Sequence, residues 1–420
     1  MALRLSLRRY YTSGGISLQN RTQNIVATKE NNNRNVRTIL LQLGFLNNVT
    51  TTINPSPVTH VLNRGDKHVI RILAWTNRST GYNRWFGRRL EGVADCKTPI
   101  PCEYSNNHSL YNSSDLILFH TRLALRNDAF PPYRLPHQHW VTFLRETPVR
   151  FSGVQQPHNT WFNWTIAYTS NADVVRPYGI CLPIQDKIAK DPSSITDAIR
   201  RVYRNRTDSI PWQHTKMLYK PTAGNYAKGK TRTVLWAVSN CITPSRRERY
   251  VEELKLHIKV DIMGKCGDGV CKSVSCKDVF QKYKFYLSFE NSLCTDYITE
   301  KLWYRMEQGI LPIVRGGADY KAYLPAHSYI DVRDFASPKA LAEYLHKLDN
   351  NDDLYNEYFV WRQNYTCHSE LPGNDLLCDM CQFMNDNLNK VNIIPDVNIF
   401  WSKDDCSSPE TYYGGIFGGL

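Results

Sequence analysis

Short apolar runs separated by polar segments fill the first half of the chain. Runs at 68–75 (HVIRILAW), 115–120 (DLILFH) and 137–147 (HQHWVTFLRET) have the length and composition of buried strands. The aromatic-rich segment 162–179 ends in a Pro-Tyr-Gly turn, and 185–228 is charged and punctuated by Gly and Pro. This alternation predicts a parallel sheet followed by an inter-domain linker.

The second half alternates between strand-like and helix-like segments. Further apolar strand patterns lie at 231–238, 260–263 and 310–314. Helix patterns lie at 244–258, 337–348 and 352–362, and the middle one follows an N-cap serine and begins with a proline. This β-α-β-α order predicts a nucleotide-binding α/β domain.

The most informative stretch is 283–317, in which an apolar strand leads through a polar elbow into an amphipathic helix and a second strand. The elbow gathers Glu290, Asn291, Ser292, Tyr297, Thr299, Glu300 and Lys301. Doubly wound α/β domains bind ligands at such junctions, where the free N–H groups and dipole of a helix N-terminus attract a phosphate. Lys301 adds a cation, and Glu300 can accept hydrogen bonds from ribose. The elbow therefore predicts a site for an anionic nucleotide or nucleotide-sugar.

Composition restricts the class of protein. The chain has 420 residues, 42% hydrophobic, with a net charge of +13 and a pI of about 9.1, which fits a globular protein of two domains. The basic residues are scattered and accompany no nucleic-acid-binding motif, so a basic surface explains them better than a nucleic-acid partner does.

Cysteines and glycosylation sequons favour the secretory pathway. The chain has 12 cysteines and Asn-x-Ser/Thr sequons at Asn20, Asn48, Asn77, Asn107, Asn112, Asn163, Asn205 and Asn364. The alternative is a reduced cytosolic protein with a zinc site. Cys378 and Cys381 have zinc-ligand spacing, and Cys266, Cys271 and Cys276 cluster, but no second CxxC or HxxxH motif accompanies them.

The N-terminal region 1–65 is Asn-rich and lacks lasting periodicity, which predicts a stem or linker. Its apolar run at 39–46 is far shorter than the roughly 20 residues that a membrane helix needs. The basic, acid-free start of the chain is also typical of a transit peptide, an interpretation that the sequons and cysteines disfavour.

Three ordered motifs carry a family resemblance. FYLSFENS, DYITEKLW and GILPIVRGG resemble the signature of α1,3-fucosyltransferases, and the resemblance covers about 68–385. It implies an α/β fold of two Rossmann-like domains facing across a cleft, the GT-B architecture. We expect a stem at 1–65, an acceptor-binding domain at 66–215, a GDP-fucose-binding domain at 216–370, and a tail at 371–420 tied back to the first domain.

The resemblance also implies an inverting transfer of L-fucose from GDP-fucose to the 3-hydroxyl of GlcNAc. Such a transfer needs a base, and a carboxylate is the usual choice. Glu146 ends a predicted strand and is followed by Thr-Pro, where the family has Glu-Ser-Pro and uses that Glu as the base. The alternative for such a residue is a solvated surface charge.

The donor-binding residues implied by the resemblance lie mostly in the second half. Lys301 and Arg247 would neutralise the leaving diphosphate, with Arg246 and Arg249 competing for the role of Arg247. Further donor contacts are expected from Asn240, Asn291, Tyr297, Glu300 and Tyr168. No D-x-D triplet occurs in the chain, so we expect no obligatory cofactor or protein-bound metal, with Mn²⁺ or Mg²⁺ as an optional stimulator. The role of Glu290 is left open.

The chain departs from the family at 168–173, where YTSNAD replaces Tyr-Arg-x-Asp-Ser-Asp. This loss of the arginine puts a donor contact in doubt and leaves a catalytically inactive, lectin-like secretory protein as an alternative. Trp75, Gln138 and Trp140 lie in predicted strands, where an aromatic ring is either a sugar platform or core.

The resemblance implies that Cys96 and Cys102 bridge to Cys378 and Cys381; it does not pair the other eight cysteines. The segment IPDVNIFWSKDDC extends past the usual family end and resembles tails of invertebrate enzymes that fucosylate the N-glycan core. We therefore expect N-glycan acceptors on glycoproteins, at the core GlcNAc, with antennary (Lewis-type) GlcNAc as the alternative. The family implies the Golgi lumen, reached through a membrane anchor that is not visible in this sequence.

Overall fold

Two largely parallel β-sheets organise the chain. The structure is a computed structural model, and it describes residues 69–409 except for 77–91, 94–95, 97, 121–129, 152–159, 185–198, 200–201, 204–223, 268–275, 370–375 and 403–404. The whole predicted stem at 1–65, most of the predicted linker, and the sequons at Asn20, Asn48, Asn77 and Asn205 lie outside the described residues. No described helix has both the length and the apolar character that a membrane crossing requires.

The first sheet has seven strands in the order β2-β3-β1-β4-β5-β6-β7, all parallel except the edge strand β2. The strands are β1 (Ile70–Ala74), β2 (Gly92–Val93), β3 (Cys102–Ser105), β4 (Leu116–His120), β5 (His139–Leu144), β6 (Trp164–Ala167) and β7 (Val174–Val175). Strands β4 and β5 are almost wholly buried, as their continuous apolar runs predicted, because layers cover both faces of a parallel sheet.

The second sheet has five parallel strands in the order β10-β9-β11-β12-β13. They are β9 (Arg232–Ala237), β10 (Val260–Met263), β11 (Tyr283–Phe289), β12 (Leu311–Arg315) and β13 (Ile330–Asp331). In chain order this is the flavodoxin-like arrangement 2-1-3-4-5, whose direction reverses between β9 and β11. Ligands of such sheets bind outside the carboxyl ends of the two strands at that reversal.

Helices and the C-terminal region cover these sheets. The helices are α1 (Arg247–Leu254), α2 (Cys276–Phe280), α3 (Glu300–Gln308), α4 (Pro338–Asp349), α5 (Asp352–Glu357), α6 (Leu376–Asn387) and α7 (Val397–Phe400). Helix α4 begins as predicted, with the Ser337 hydroxyl accepting from the amide of Ala340 and a proline at N1. The predicted helix 244–258 is shorter, because Arg246 takes a left-handed conformation ahead of α1.

Helix α3 ends at Gly309, which adopts the left-handed conformation (φ +67°) that favours glycine after a helix. A Cβ at this position would lie 3.1 Å from the ring of Tyr226. The turn therefore needs glycine both for its backbone angle and for its space, and it returns the chain directly into β12.

Two elements join the halves of the chain in ways that local patterns did not predict. Strand β8 (Ile180–Pro183) pairs antiparallel with β14 (Tyr365–His368), and a disulfide links Cys181 to Cys367 within this pair. Helix α6 shares a hydrophobic core with the first sheet, although more than 200 residues separate it from that sheet's last strand. The described fold is thus α/β with two parallel sheets, as expected.

Candidate active site

The elbow between β11 and α3 is organised around Glu290, a carboxylate that is 1% exposed. It accepts hydrogen bonds from the Thr299 amide (2.7 Å) and hydroxyl, and from the Lys301 ammonium (3.0 Å). Burial raises the pKa of Glu290, and Lys301 opposes that rise. The sequence predicted that the N-terminus of α3 would offer its amides to a phosphate; instead the Thr299 amide is taken by Glu290, because a buried carboxylate needs such donors.

Lys301 is the predicted diphosphate cation nearest to this carboxylate. Its ammonium lies 3.0 Å from Glu290 and 3.5 Å from Glu300, with 21% of the side chain exposed. Burial lowers the pKa of Lys301, but the two carboxylates more than offset this effect, so its pKa is raised. Lys301 is therefore protonated at neutral pH, and its charge is shared between these two carboxylates.

Arg247 has a different position from the one its predicted role implied. The side chain is 3% exposed, and its guanidinium donates to the carbonyl oxygens of Phe289 and Asn240, at the ends of β11 and β9. Burial lowers the pKa of Arg247. Arg247 thus ties the two strands together at the reversal point, whereas Arg246 and Arg249 lie exposed at the start of α1.

The two asparagines predicted to contact the donor lie at the same strand ends. The Asn291 main chain accepts from the Ser245 amide at 3.0 Å, and its side-chain Oδ1 is buried without a hydrogen-bond partner among the described residues. Asn240 is partly exposed. Because β9 and β11 are the strands at the reversal point, Asn240 and Asn291 border the expected ligand position.

Glu146, the predicted base, is the second residue after β5 and contacts the elbow of the second sheet. The Tyr297 hydroxyl donates a hydrogen bond of 2.9 Å to Oε1 of Glu146. Next to it, the Thr147 hydroxyl donates to the Ser292 hydroxyl at 2.9 Å. Two adjacent residues of the first half therefore hold two residues of the signature elbow, and a carboxylate is placed beside the candidate donor site.

Tyr168 is a buried residue that packs behind Tyr297. It is 2% exposed and packs between Tyr297 (ring centroids 5.0 Å apart) and Trp401 (5.9 Å). The divergent loop that follows is anchored as well, because the Ser170 amide donates to Asp296 at 3.0 Å. The loop without the family's arginine thus joins the two halves of the chain, and Tyr168 supports Tyr297 from behind.

Sequence reasoning did not select Arg145 and Tyr178, which also surround Tyr297. The Arg145 guanidinium lies 3.8 Å from the ring centre of Tyr178, whose hydroxyl donates to the Arg145 carbonyl at 2.6 Å. Burial lowers the pKa of Arg145 to about 10, and the charge of Glu300 opposes that effect. The position of Arg145 directly before Glu146 was the one feature of the sequence that could have pointed to it. A single arginine at the end of a strand is usually a surface charge, so this feature is weak.

Two family models match the chain: the N-terminal fucosyltransferase model over 67–179, and the C-terminal model of glycosyltransferase family 10 (fucosyltransferase) over 227–400. The Drosophila melanogaster protein named α-(1,3)-fucosyltransferase C is 34% identical over 346 residues, 79% of this chain and 77% of that protein. The chain belongs to the family 10 fucosyltransferases.

One further relative and one solved structure are also similar to the chain. A human 4-galactosyl-N-acetylglucosaminide 3-α-L-fucosyltransferase is 32% identical over 302 residues, 70% of each chain. A crystal structure of an α1,3-fucosyltransferase with GDP-fucose has a TM-score of 0.45 and 17% identity, covering 83% of this chain and 95% of that one.

Disulfides of this fucosyltransferase fasten its C-terminal region to both halves. The described bonds are Cys96–Cys378, Cys102–Cys381, Cys181–Cys367, Cys241–Cys266 and Cys294–Cys406. The first two join the residue pairs that the resemblance implied. They also exclude the zinc alternative for the CxxC motif, because neither sulfur is a thiolate. Among the described residues, no group of three or more His, Cys, Asp or Glu side chains could hold a metal ion.

The fold decides between alternatives that the sequence left open and corrects one glycosylation candidate. Gln138 and Trp140 are buried core residues of the fucosyltransferase, so they are not sugar platforms. Trp75 already stacks on the His108 ring at 4.0 Å. Asn163 is 1% exposed, and its amide bonds to the main chain at Trp140 and Asn392, which leaves no room for a glycan. The sequons at Asn107, Asn112 and Asn364 are exposed.

Proposed function

We propose that this fucosyltransferase moves L-fucose from GDP-fucose to the 3-hydroxyl of GlcNAc in N-glycans, with inversion at the fucose C1 and with Glu146 as the general base. The observation that carries the proposal is the hydrogen bond between Glu146 and Tyr297. It places a carboxylate from the first half of the chain beside the Lys301-bearing elbow of the second half.

In the proposed reaction, Glu146 accepts the proton of the GlcNAc 3-hydroxyl while that oxygen attacks C1 of fucose. The bond from C1 to the β-phosphate oxygen breaks, and its electron pair leaves with GDP. Lys301 neutralises the charge that develops on that oxygen, and the Tyr297 hydroxyl fixes the direction of the base. Atoms and charges balance without a co-reactant, and Mn²⁺ or Mg²⁺ is kept as an optional stimulator.

The donor side of the proposal rests on the residues around the strand reversal. Asn240 and Asn291 border the carboxyl ends of β9 and β11, where such sheets bind nucleotides. Glu300 keeps 45% of its side chain exposed and lies beside Lys301, which suits a hydrogen bond to ribose or fucose hydroxyls. The role of Arg247 in this proposal is to hold the two strand ends in place for that pocket.

The acceptor is proposed to be the core GlcNAc of N-glycans. The tail that resembles core-type enzymes supports this choice, while the name of the human relative favours galactosyl-GlcNAc antennae. The five described disulfides support an oxidising compartment. We therefore propose the Golgi lumen as the site of action.

The test is an assay of purified protein with GDP-fucose and two defined acceptors, a core N-glycan and an antennary LacNAc glycan. We expect a deoxyhexose mass increment on the core glycan and one GDP released per transfer. Transfer only to LacNAc would reassign the acceptor. Glycan binding without any transfer would favour the inactive, lectin-like alternative.

The base is tested by Glu146→Gln, which keeps the shape of the side chain and removes its basicity. We expect kcat to fall about 10²–10⁴-fold, with GDP-fucose affinity unchanged in a direct binding measurement. The matched control is Glu103→Gln, a partly exposed carboxylate at the far end of the first sheet that pairs with Arg71. Turnover of Glu146→Gln at the control's rate would remove Glu146 as the base.

A further inference from the structure

The segment that follows α7 returns to the signature elbow and is fastened there. Cys406 is bonded to Cys294, and the two residues also form an antiparallel bridge. The Thr295 amide donates to the Asp405 carbonyl at 2.8 Å, and the Ser407 amide donates to the Leu293 carbonyl at 2.8 Å. The tail is therefore paired with the loop that leads into Tyr297.

Trp401, at the end of α7, brings an indole ring to the back of this loop. Its ring meets Tyr168 edge to face at 5.9 Å, and Tyr168 packs on Tyr297 at 5.0 Å. Tyr297 in turn donates its hydroxyl to Glu146. The three rings and the carboxylate form one uninterrupted row of contacts from the tail to the proposed base.

The residues of this row are buried and packed against one another. Tyr168 and Tyr297 are each 2% exposed, and both belong to one small buried cluster with Cys294, against which Trp401 and Cys406 pack. Neither Tyr168 nor Tyr297 has another space to occupy while the indole is present, since buried aromatic rings are close-packed. Trp401 and Cys406 both lie beyond the family match, which ends at residue 400.

We propose that Trp401 is a positioning residue of the transferase, acting through Tyr168 and Tyr297 on Glu146, and that the Cys294–Cys406 bond holds it in place. This inference rests on the proposed role of Glu146. A shift of about 1 Å in a catalytic group can lower a rate about 10²-fold. The cavity left by a missing indole would allow Tyr168, and with it Tyr297, to move by such a distance.

The test compares Trp401→Ala and Trp401→Phe with Ile399→Ala, which removes a 67% exposed side chain from α7, two residues earlier in the chain. We expect Trp401→Ala to lower kcat about 10- to 100-fold, with GDP-fucose affinity changed less than about threefold. Trp401→Phe restores a ring and should recover most of that loss. Ile399→Ala should match the parent. Thermal unfolding identifies any variant that has lost its fold. If Trp401→Ala is such a variant, Trp401→Leu replaces it in the comparison.

A double-mutant cycle separates positioning from general loss of structure. If Trp401 acts through Tyr297, then Trp401→Ala should lower kcat by less than about twofold in a Tyr297→Phe background. The proposal would be overturned if the reductions in kcat caused by Trp401→Ala and Tyr297→Phe multiplied in the double variant. It would also be overturned if Trp401→Ala had the same kcat as Ile399→Ala. If Glu146→Gln is inactive while Trp401→Ala has the parent's kcat, only the proposed role of Trp401 is refuted. If Glu146→Gln has the parent's kcat, the proposed role of Glu146 as the base is refuted, and the role of Trp401 falls with it.

Discussion

The Tyr297 hydroxyl donates a hydrogen bond of 2.9 Å to Oε1 of Glu146, although 151 residues separate the two in the chain. Tyr297 belongs to the elbow of the second sheet, and Glu146 follows strand β5 of the first sheet. Together with the Thr147–Ser292 bond, this hydrogen bond connects the two halves of the chain at the elbow, where we propose the base and the donor to meet.

Removal of that hydroxyl in Tyr297→Phe is expected to lower kcat about 10- to 100-fold. A hydrogen bond to a charged group contributes about 1.5–3 kcal/mol, and 1.4 kcal/mol is about tenfold in rate. Steady-state kinetics measure the effect. Tyr355→Phe is the control, because that buried hydroxyl bonds the Lys284 carbonyl at 2.7 Å within the second half's core. Equal kcat values for the two variants would contradict the prediction.

Arg247→Lys is expected to lower stability by about 2 kcal/mol, because lysine cannot span two carbonyls as the guanidinium fork does. Phe289 and Asn240 would each lose a donor at the reversal point of the second sheet. Urea unfolding measures the change, with the exposed Arg249→Lys on the same helix as the control. A stable Arg247→Lys variant that binds donor more weakly would instead assign Arg247 directly to the diphosphate.

The Cys96–Cys378 and Cys102–Cys381 bonds are expected to be redundant. While the Cys181–Cys367 bond is intact, either bond alone closes a loop of about 100 residues, and once one has formed, the other closes a loop of only about ten residues. In the chain-entropy model, removing one bond costs about 3 kcal/mol, and removing both costs about 7 kcal/mol. Unfolding in guanidinium chloride of Cys378→Ala with Cys96→Ala, and of the fourfold variant, tests this. Equal losses for the two bonds, each of about 5 kcal/mol, would contradict nesting.

Acid is expected to destabilise the fold through His327. This residue has a positive φ of 58° and stacks on Tyr358 at 3.9 Å. The residue as a whole is exposed, but its ring is partly desolvated, which lowers the pKa of His327, and Glu357 opposes that effect, so we expect the acid effect to be small. The neutral ring is therefore favoured in the folded state, so its contribution is present above pH 6.5 and is lost as the pH falls through the lowered pKa.

His327→Asn removes that titration, and asparagine tolerates the left-handed backbone. Between pH 7 and pH 5 the unfolding temperature of the parent should fall more steeply than that of His327→Asn. The comparison of slopes cancels the titration of groups that both proteins share. Parallel curves would exclude His327 as a source of acid sensitivity.

Local patterns predicted much of the fold, because burial in a parallel sheet leaves continuous apolar runs and helix starts carry characteristic caps. The strands at β4, β5, β9, β10 and β12, and the Ser337–Pro338 start of α4, were read from such signals. The elbow was found in the same way. Its motifs also pointed to the family, which the comparisons confirmed.

Side-chain partners across the fold were beyond those patterns. The spacing of apolar residues does not show that the Glu290 carboxylate accepts a hydrogen bond from the amide at the start of α3. Nor does it show that the Arg247 guanidinium points inward and donates to two carbonyl oxygens, while Arg246 stays exposed. Asn163 has a sequon and is nevertheless buried. Each of these outcomes depends on which segments of the chain cover the residue.

The sequence by itself determined the two-sheet α/β class, the fucosyltransferase family and the polar elbow between β11 and α3, because these depend on local composition and ordered motifs. Only the tertiary structure decided that Glu146 meets Tyr297, that Tyr168 stands behind it, and that the tail closes the row through Trp401 and Cys406. Those contacts join residues more than 100 positions apart, and they form only because the buried rings and charges must find partners once the chain excludes water.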